Sequence, residues 1–256
     1  MSCTKNIIIN PDERIDEVNE QIKLIQKIDG LTFGTDAFLL AAFIKPKCSG
    51  RAAELGSGTG IISFLLASRD KFQSIDAFEI QHDFCELSQR NAELNYLDSK
   101  VNFLCKDIRD IKVGEYKEYD TVFSNPPYMK TDSGKRNTAD CKYIARHEVC
   151  GSIDDFCSAA YRLLKHGGKF YVVWRPDRLC DLMYALRKNR LEPKILTPVC
   201  ANSKSAPSVV LVCATKGGAS GMALTSPLLL WNDLQNRCMS EDAKIIYDTL
   251  SFDQFL

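Results

Sequence analysis

Between residues 51 and 175, short apolar runs alternate with stretches in which apolar residues recur every three or four positions. The first pattern predicts buried strands and the second predicts helices with one apolar face. Strands are predicted over 51–55, 74–80, 101–105, 119–124 and 169–174. One helix is predicted through Ile61, Ile62, Phe64, Leu65 and Leu66, and another over 82–97 with Phe84, Leu87 and Leu94 on one side. A third carries Phe156, Ala159, Ala160, Leu163 and Leu164. Ser152 and Asp155 give it a capping-box start, and Gly167-Gly168 give it a stop. Pro176 suits the first turn of a fourth, which carries Leu179, Leu182, Met183 and Leu186. Two late strands, 194–199 and 208–214, flank the polar stretch 202–205. Alternation followed by such a pair predicts an α/β fold with one mostly parallel sheet, an antiparallel end and helices on both faces.

The flanks are less regular. Asp36 is expected to cap a helix through Ala37, Leu39, Leu40, Ala41, Phe43 and Ile44, which stops by Pro46 and Ser49-Gly50. Residues 1–32 allow two readings: Ile15, Val18, Ile22 and Ile25 have helical spacing, while Ile7-Ile8-Ile9 and the segment after Gln21 suit strands. This lead is expected to pack on or near a substrate cleft, with the main domain over 33–216. A tail, 217–256, which includes Pro227 to Trp231, is expected to pack onto that domain. Residues 129–151 form a long polar connection, and connections of that length in compact domains commonly carry function.

Composition narrows the class. The chain has 256 residues, 45% hydrophobic and 26% charged, as in a soluble globular protein. Lys plus Arg and Asp plus Glu balance at 33 each, which argues against a tail-type nucleic-acid binder but leaves room for a local basic face. The eleven cysteines include no Cys-x-x-Cys pair, so reduced thiols and no metal are expected. The acidic start (Asp12, Glu13, Asp16, Glu17, Glu20) does not resemble a secretory leader, and no run of about 18 apolar residues suggests a membrane span. A cytoplasmic protein is expected.

Candidate chemistry collects at the strand ends, where open α/β sheets bind ligands. Gly56-Ser57-Gly58-Thr59-Gly60 follows the first strand and lets a ligand approach the backbone. It lacks the Gly-Lys-Ser/Thr of a phosphate-binding loop, and taken alone it also fits a plain helix-entry turn. Glu79 lies nineteen residues after Gly60 at the next strand end, where a carboxylate can accept both hydroxyls of a ribose. Asp107 follows the third strand and could accept from an adenine amino group, with Ile108 beside the ring; a loop-capping role fits it nearly as well. Glu54 could orient the amino-acid end of a ligand directly or through water. Asn125-Pro126-Pro127-Tyr128 ends the fourth strand. The prolines remove two backbone donors and leave carbonyl acceptors, and Tyr128 adds a flat ring. That turn suits a planar group bearing an NH₂.

These motifs, in this order on these strand ends, resemble the class I S-adenosylmethionine-dependent methyltransferases over roughly residues 30–215. The resemblance implies a Rossmann-like, seven-stranded, mostly parallel sheet with an antiparallel last strand, in order 3-2-1-4-5-7-6. It implies S-adenosyl-L-methionine as cofactor, held by Glu54, residues 56–60, Glu79, Ile80, Asp107, Ile108 and Asn125. It implies nitrogen methylation, with Asn125, Pro126, Pro127 and Tyr128 holding the target amine. A finer resemblance covers nearly the whole chain. Phe33-Gly34-Thr35-Asp36, Ala145-Arg146-His147-Glu148, Arg175-Pro176-Asp177-Arg178-Leu179, Lys216-Gly217-Gly218 and Pro227-Leu228 look like the bacterial tRNA-valine adenine-37 N6-methyltransferase family. It implies that Thr35 and Asp36 close over the cofactor's methionine end. It also implies tRNA as partner. The acidic tail with Pro227 to Trp231 could support a dimer, so a monomer or weak homodimer is expected. Lys130, Lys135, Arg136, Lys142, Arg146 and His147 follow the turn and form a candidate RNA face. A second basic cluster holds Arg175, Arg178, Arg187, Lys188, Arg190 and Lys194 against Asp177, Asp181 and Glu192, and a plain solvated surface fits it as well. Rival readings are a release-factor glutamine methyltransferase, a ribosomal RNA guanine-N2 enzyme and a noncatalytic cofactor-binding scaffold.

Overall fold

The computed structural model describes residues 7–28, 34–127, 151–233, 238–253 and 255. The chain opens with a hairpin, β1 (Glu13–Glu17) and β2 (Lys23–Lys27), paired antiparallel. The helical spacing of Ile15, Val18, Ile22 and Ile25 is therefore not used. Side chains of a neighbouring helix satisfy the outer edge of β2 instead. That helix, His82–Leu94, ends at Asn95. Asn91 accepts from the Ile25 N–H (2.6 Å) and donates to the Ile25 carbonyl (3.2 Å). Asn95 does the same with Lys23, at 2.9 and 2.7 Å. Four helical residues rise about 6 Å, close to the roughly 6.6 Å of two strand residues, so two asparagines one turn apart stand in for a pairing strand. Arg90 on the same helix grips Glu13 with both amino groups, at 2.6 and 2.9 Å.

The domain proper runs α1 (Thr35–Phe43), β3 (Lys47–Leu55), α2 (Ile61–Ser68), β4 (Phe72–Glu79), α3 (His82–Leu94), β5 (Val101–Cys105) and β6 (Tyr119–Ser124). After residue 150 come α4 (Ile153–Leu163), β7 (Leu164–Trp174), α5 (Leu179–Lys188), β8 (Leu191–Cys200) and β9 (Pro207–Lys216). The central path is β5-β4-β3-β6-β7-β9-β8, parallel except for β9. In sequence rank this is the order 3-2-1-4-5-7-6. Two short strands, β10 (Ala223–Leu224) and β11 (Leu228–Leu229), extend the edge along β8, so the described sheet has nine strands rather than seven. The tail continues with the pair β12 (Trp231–Asp233) and β13 (Cys238–Met239), then α6 (Glu241–Thr249).

Alternate residues of the central strands feed two cores. Phe123, Tyr171 and Val173 join Leu40, Phe43, Phe64 and Leu65 from α1 and α2 on one face. Val122, Phe170 and Val172 join Phe156, Ala160, Leu182 and Leu186 from α4 and α5 on the other. Burial on both faces explains why the strands read as unbroken apolar runs.

Several boundaries differ from expectation. The first domain helix is capped by Gly34 without a side-chain bond, and Asp36 sits inside its first turn. Strand β3 begins at Lys47, because Asp120 receives the Arg51 N–H (2.9 Å) and the Lys47 ammonium (2.6 Å) and holds that stretch to the sheet. Helix α4 ends at Leu163, and Gly167-Gly168 lie within β7. Gly168 fits there because a Cβ would lie 2.9 Å from the Lys165 carbonyl. The capping box at Ser152 and Asp155 is formed. Pro176 starts a 3-10 turn, Pro176–Arg178, ahead of α5.

Candidate active site

Four strand ends stand in a row along one edge of the sheet. Leu55 pairs with Phe78, Glu79 with Cys105, and Glu54 with Phe123. The glycine turn, Glu79, the Asp107 loop and Asn125 therefore project from adjacent positions. Ser124 fastens the row, since its buried hydroxyl donates to the Leu55 carbonyl at 2.7 Å. The strand ending in Asn125 is thereby fixed to the strand entering the glycine turn. The motif reading did not include Ser124.

The glycine turn is shaped by left-handed backbone at Gly56, Gly58 and Gly60. Gly60 ends it and caps α2; a Cβ there would lie 2.6 Å from the Phe103 ring and 2.9 Å from Phe64. Around Gly58 there is open space instead. Ser57 Oγ is buried and has no hydrogen-bond partner among the described residues, which is costly unless a ligand supplies one.

Glu79 is buried at the end of β4. One carboxylate oxygen accepts the Gly58 N–H (2.8 Å) and the other the Gln81 N–H (2.9 Å). A carboxylate offers about four lone-pair sites, so this fixes the group and leaves acceptor capacity for two hydroxyls. Ile80 follows, half-buried. Glu54 lies beneath the turn, 1% exposed, and accepts from the N–H of Ser63 (3.2 Å) and from its hydroxyl. Burial, with the nearby charge of Glu79, pushes its carboxyl up to about 8 against the pull of those bonds. Glu54 thus braces the first turns of α2. Ser63, its partner, was not singled out in the sequence.

Asp107 reaches the row but faces its own loop. It accepts the Arg109 N–H (2.8 Å) and both arms of the Arg109 guanidinium, at 2.5 to 2.9 Å, capping a 3-10 turn at Ile108–Asp110. The guanidinium holds its carboxyl below the usual range. In this state the capping role is realised, and Arg109 occupies the acceptors an adenine amine would use. Ile108 is buried beneath it. Asn125 is half-buried and Pro126 buried, with Pro127 half-buried beside them. Tyr128, Lys130, Lys135, Arg136, Lys142, Arg146 and His147 lie outside the described residues.

Thr35 and Asp36 start α1. In the second basic cluster, four of the six side chains pair with acids among the described residues. Arg175 pairs with Asp177, Arg178 with Asp181, Lys188 with Asp154 and Arg187 with Glu192, while Lys194 is engaged by the carbonyls of Ala219 and Gly221. Asp177, Asp181 and Glu192 are the acids counted within the stretch itself, and the fold adds Asp154 from the start of α4.

The donor set fits an adenosyl-type ligand. It combines a turn of close-approach glycines, an unpartnered hydroxyl and a pre-oriented carboxylate at the next strand end. Among the described residues no helix is long and apolar enough to cross a membrane.

Comparison with known proteins agrees on the fold. The chain superposes on a predicted O-methyltransferase of Agrobacterium tumefaciens with a TM-score of 0.69, at 20% identity, over 85% of this chain and 97% of that one. It also superposes on M. jannaschii TYW2 in complex with AdoMet, with a TM-score of 0.54 at 16% identity, over 79% and 85%. Among curated relatives, proteins named tRNA1(Val) (adenine(37)-N6)-methyltransferase are 29% identical in Dyadobacter fermentans and 33% in Bacteroides fragilis. Those alignments cover 56% and 55% of this chain and 58% of each relative. A protein of the same name from Porphyromonas gingivalis is 26% identical over 70% of this chain and 72% of its own length. Residues 27–187 match the methyltransferase small domain, a span that includes the whole strand-end row. With that match and the Rossmann-like sheet of class I methyltransferases, the chain belongs to the methyltransferase small domain family.

Proposed function

We propose that this protein is an S-adenosylmethionine-dependent methyltransferase acting on the N6 amine of adenine in tRNA, with adenine 37 of tRNA-Val as the target. The observation that carries this reading is the 2.7 Å bond from Ser124 to the Leu55 carbonyl, which joins the amine-accepting turn to the glycine turn. The names of the curated relatives support the substrate.

Glu79, Ser57 and the turn 56–60 would hold the cofactor, with Ile80 and Ile108 beside the base and Thr35 and Asp36 at its amino-acid end. Asp107 joins them if Arg109 turns aside. When bound, S-adenosylmethionine supplies an electrophilic methyl group. The protein's task is to present a weak nucleophile, because the lone pair of an exocyclic amine is delocalised into its ring. The Asn125 side-chain oxygen and the Pro126 carbonyl accept its two N–H bonds and fix the nitrogen in place. Pro126 is buried, so water competes poorly for those bonds. Tyr128, next in sequence, offers an aromatic face for a flipped base. Positioning and preorganised acceptors do the work, with no side-chain nucleophile.

The test is methyl transfer to unmodified tRNA transcripts, read by nucleoside mass spectrometry. N6-methyladenosine at position 37 is expected. Methylation of a peptide glutamine without N6-methyladenosine would reject the proposal.

A further inference from the structure

Helix α3 is tied to the strand-end row at its start and to the N-terminal hairpin at its end. In its first turn, the Cys85 thiol donates to the Glu79 carbonyl (3.4 Å), which also accepts the Lys106 N–H (2.8 Å). One turn later, the Ser88 hydroxyl donates to the Gly58 carbonyl in the middle of the glycine turn (2.8 Å). Asn91 and Asn95 then hold β2. Residues 88, 91 and 95 are three and four apart, so they share one face of the helix. A helix held at both ends keeps Ser88 in place against the turn.

Gly58 needs such a partner. A Cβ at Gly56 would lie 3.3 Å from Phe156, and one at Gly60 would lie 2.6 Å from Phe103, so packing closes in on both. A Cβ at Gly58 would meet nothing within 4 Å, and glycine adopts other backbone angles at no steric cost. One hydrogen bond at each end of the residue fixes it instead. Its N–H donates to Glu79 (2.8 Å) and its carbonyl accepts from Ser88 (2.8 Å). The first bond orients the Glu79 carboxylate, and the second sets the Gly58–Thr59 peptide. Ser88 itself is 0% exposed, so it has no surface open to a ligand.

We infer that Ser88 is a positioning residue for the methyl donor, holding the glycine turn in its binding shape through the Gly58 carbonyl. The inference rests on the reading that residues 56–60 and Glu79 hold the donor. Without the hydroxyl, the Gly58–Thr59 peptide is free to rotate. Only the molecules whose turn keeps its shape then take the donor, and apparent affinity falls by that fraction. Once the donor is bound, the turn is in its binding shape again. Loss of the hydroxyl should therefore act on donor binding and leave both the RNA and the transfer step untouched.

The experiment compares Ser88→Ala, Asn95→Ala and Glu79→Gln in the full chain. It measures the KM for S-adenosylmethionine, the KM for tRNA, kcat, the thermal midpoint, and the Kd for S-adenosylhomocysteine by calorimetry. Alanine fits the space of serine, so the Ser88→Ala chain should fold. Its donor KM and product Kd should rise together by about threefold to tenfold, the loss of one hydrogen bond, while kcat at saturating donor and the tRNA KM stay unchanged. Asn95→Ala cuts the bonds to Lys23 at the far end of the same helix, so it should lower the thermal midpoint and leave the product Kd unchanged. A lower midpoint for Ser88→Ala with an unchanged product Kd would mean that Ser88 only stabilises the fold, and the inference falls. It falls also if Asn95→Ala weakens the donor as much as Ser88→Ala, since loosening of α3 would then explain both. If Glu79→Gln weakens the donor and Ser88→Ala does not, the inference fails while the donor site stands. If Glu79→Gln has no effect on donor affinity, the donor site is misplaced and both readings fail.

Discussion

Glu54→Gln should make this protein more stable as pH rises. The wild-type carboxyl is buried, and it titrates near 8 against an ordinary value of 4.5. The folded state thus binds this proton more tightly than the unfolded chain. That preference favours the fold fully below pH 4.5 and is lost progressively as pH climbs to 8. Linkage makes the cost of the ionised form about 1 kcal/mol at pH 5, about 3 kcal/mol at pH 7 and about 4 kcal/mol at pH 8. Glutamine keeps the volume and an oxygen for the Ser63 N–H and hydroxyl, and it carries no charge. The assay is urea unfolding of the cofactor-free protein at pH 5 and pH 8. The variant should gain about 3 kcal/mol more over wild type at pH 8 than at pH 5, a midpoint shift of roughly 1 M. An equal difference at both pH values would refute the reasoning, because a packing change carries no proton dependence.

Gly60→Ala should destabilise the fold by several kcal/mol in denaturant titrations, since its Cβ would meet Phe103 and Phe64 on left-handed backbone. Gly58→Ala meets open space, so the chain should fold with a smaller loss while donor affinity drops in calorimetry. Asn125→Ala should abolish transfer and leave S-adenosylhomocysteine binding within about threefold, because its acceptor serves the amine. Arg90 holds Glu13 down at about 2, so the ion pair adds stability above pH 4.5 that is lost as pH falls from 4.5 towards 2. Protection factors at the β1–β2 amides should fall over that acid window, and Arg90→Met should weaken the dependence, since Asn10 and Lys27 still hold Glu13. Neutralising Lys135 and Arg136 should lower the salt slope of tRNA binding by about 2, whereas Arg178→Gln and Arg187→Gln should leave it unchanged.

The fold was legible because it rests on local patterns. Apolar runs bounded by glycine, proline and capping residues marked the five parallel strands and the helices between them. Burial on both sheet faces makes those runs unambiguous. The N-terminal hairpin was not legible, because the edge of β2 is satisfied by Asn91 and Asn95, well over sixty residues away. The start of β3 depends in the same way on Asp120. A residue's pairing partner at such separations leaves no trace in local periodicity.

The sequence by itself determined the row of candidate groups, since a side chain that ends a strand of a parallel sheet must emerge at one edge. Glu79, Asp107 and Asn125 could be placed there from spacing alone. Only the tertiary structure decided what each group faces. It turned Glu54 onto Ser63, gave both oxygens of Asp107 to Arg109, and paired Arg175, Arg178, Arg187 and Lys188 with acids. It also brought the Tyr247 ring within 5.6 Å of the Phe38 ring, two residues at nearly opposite ends of the chain. Hydrogen bonding and charge pairing act over a few ångströms in space, and sequence order records that distance only within a turn or two of the backbone.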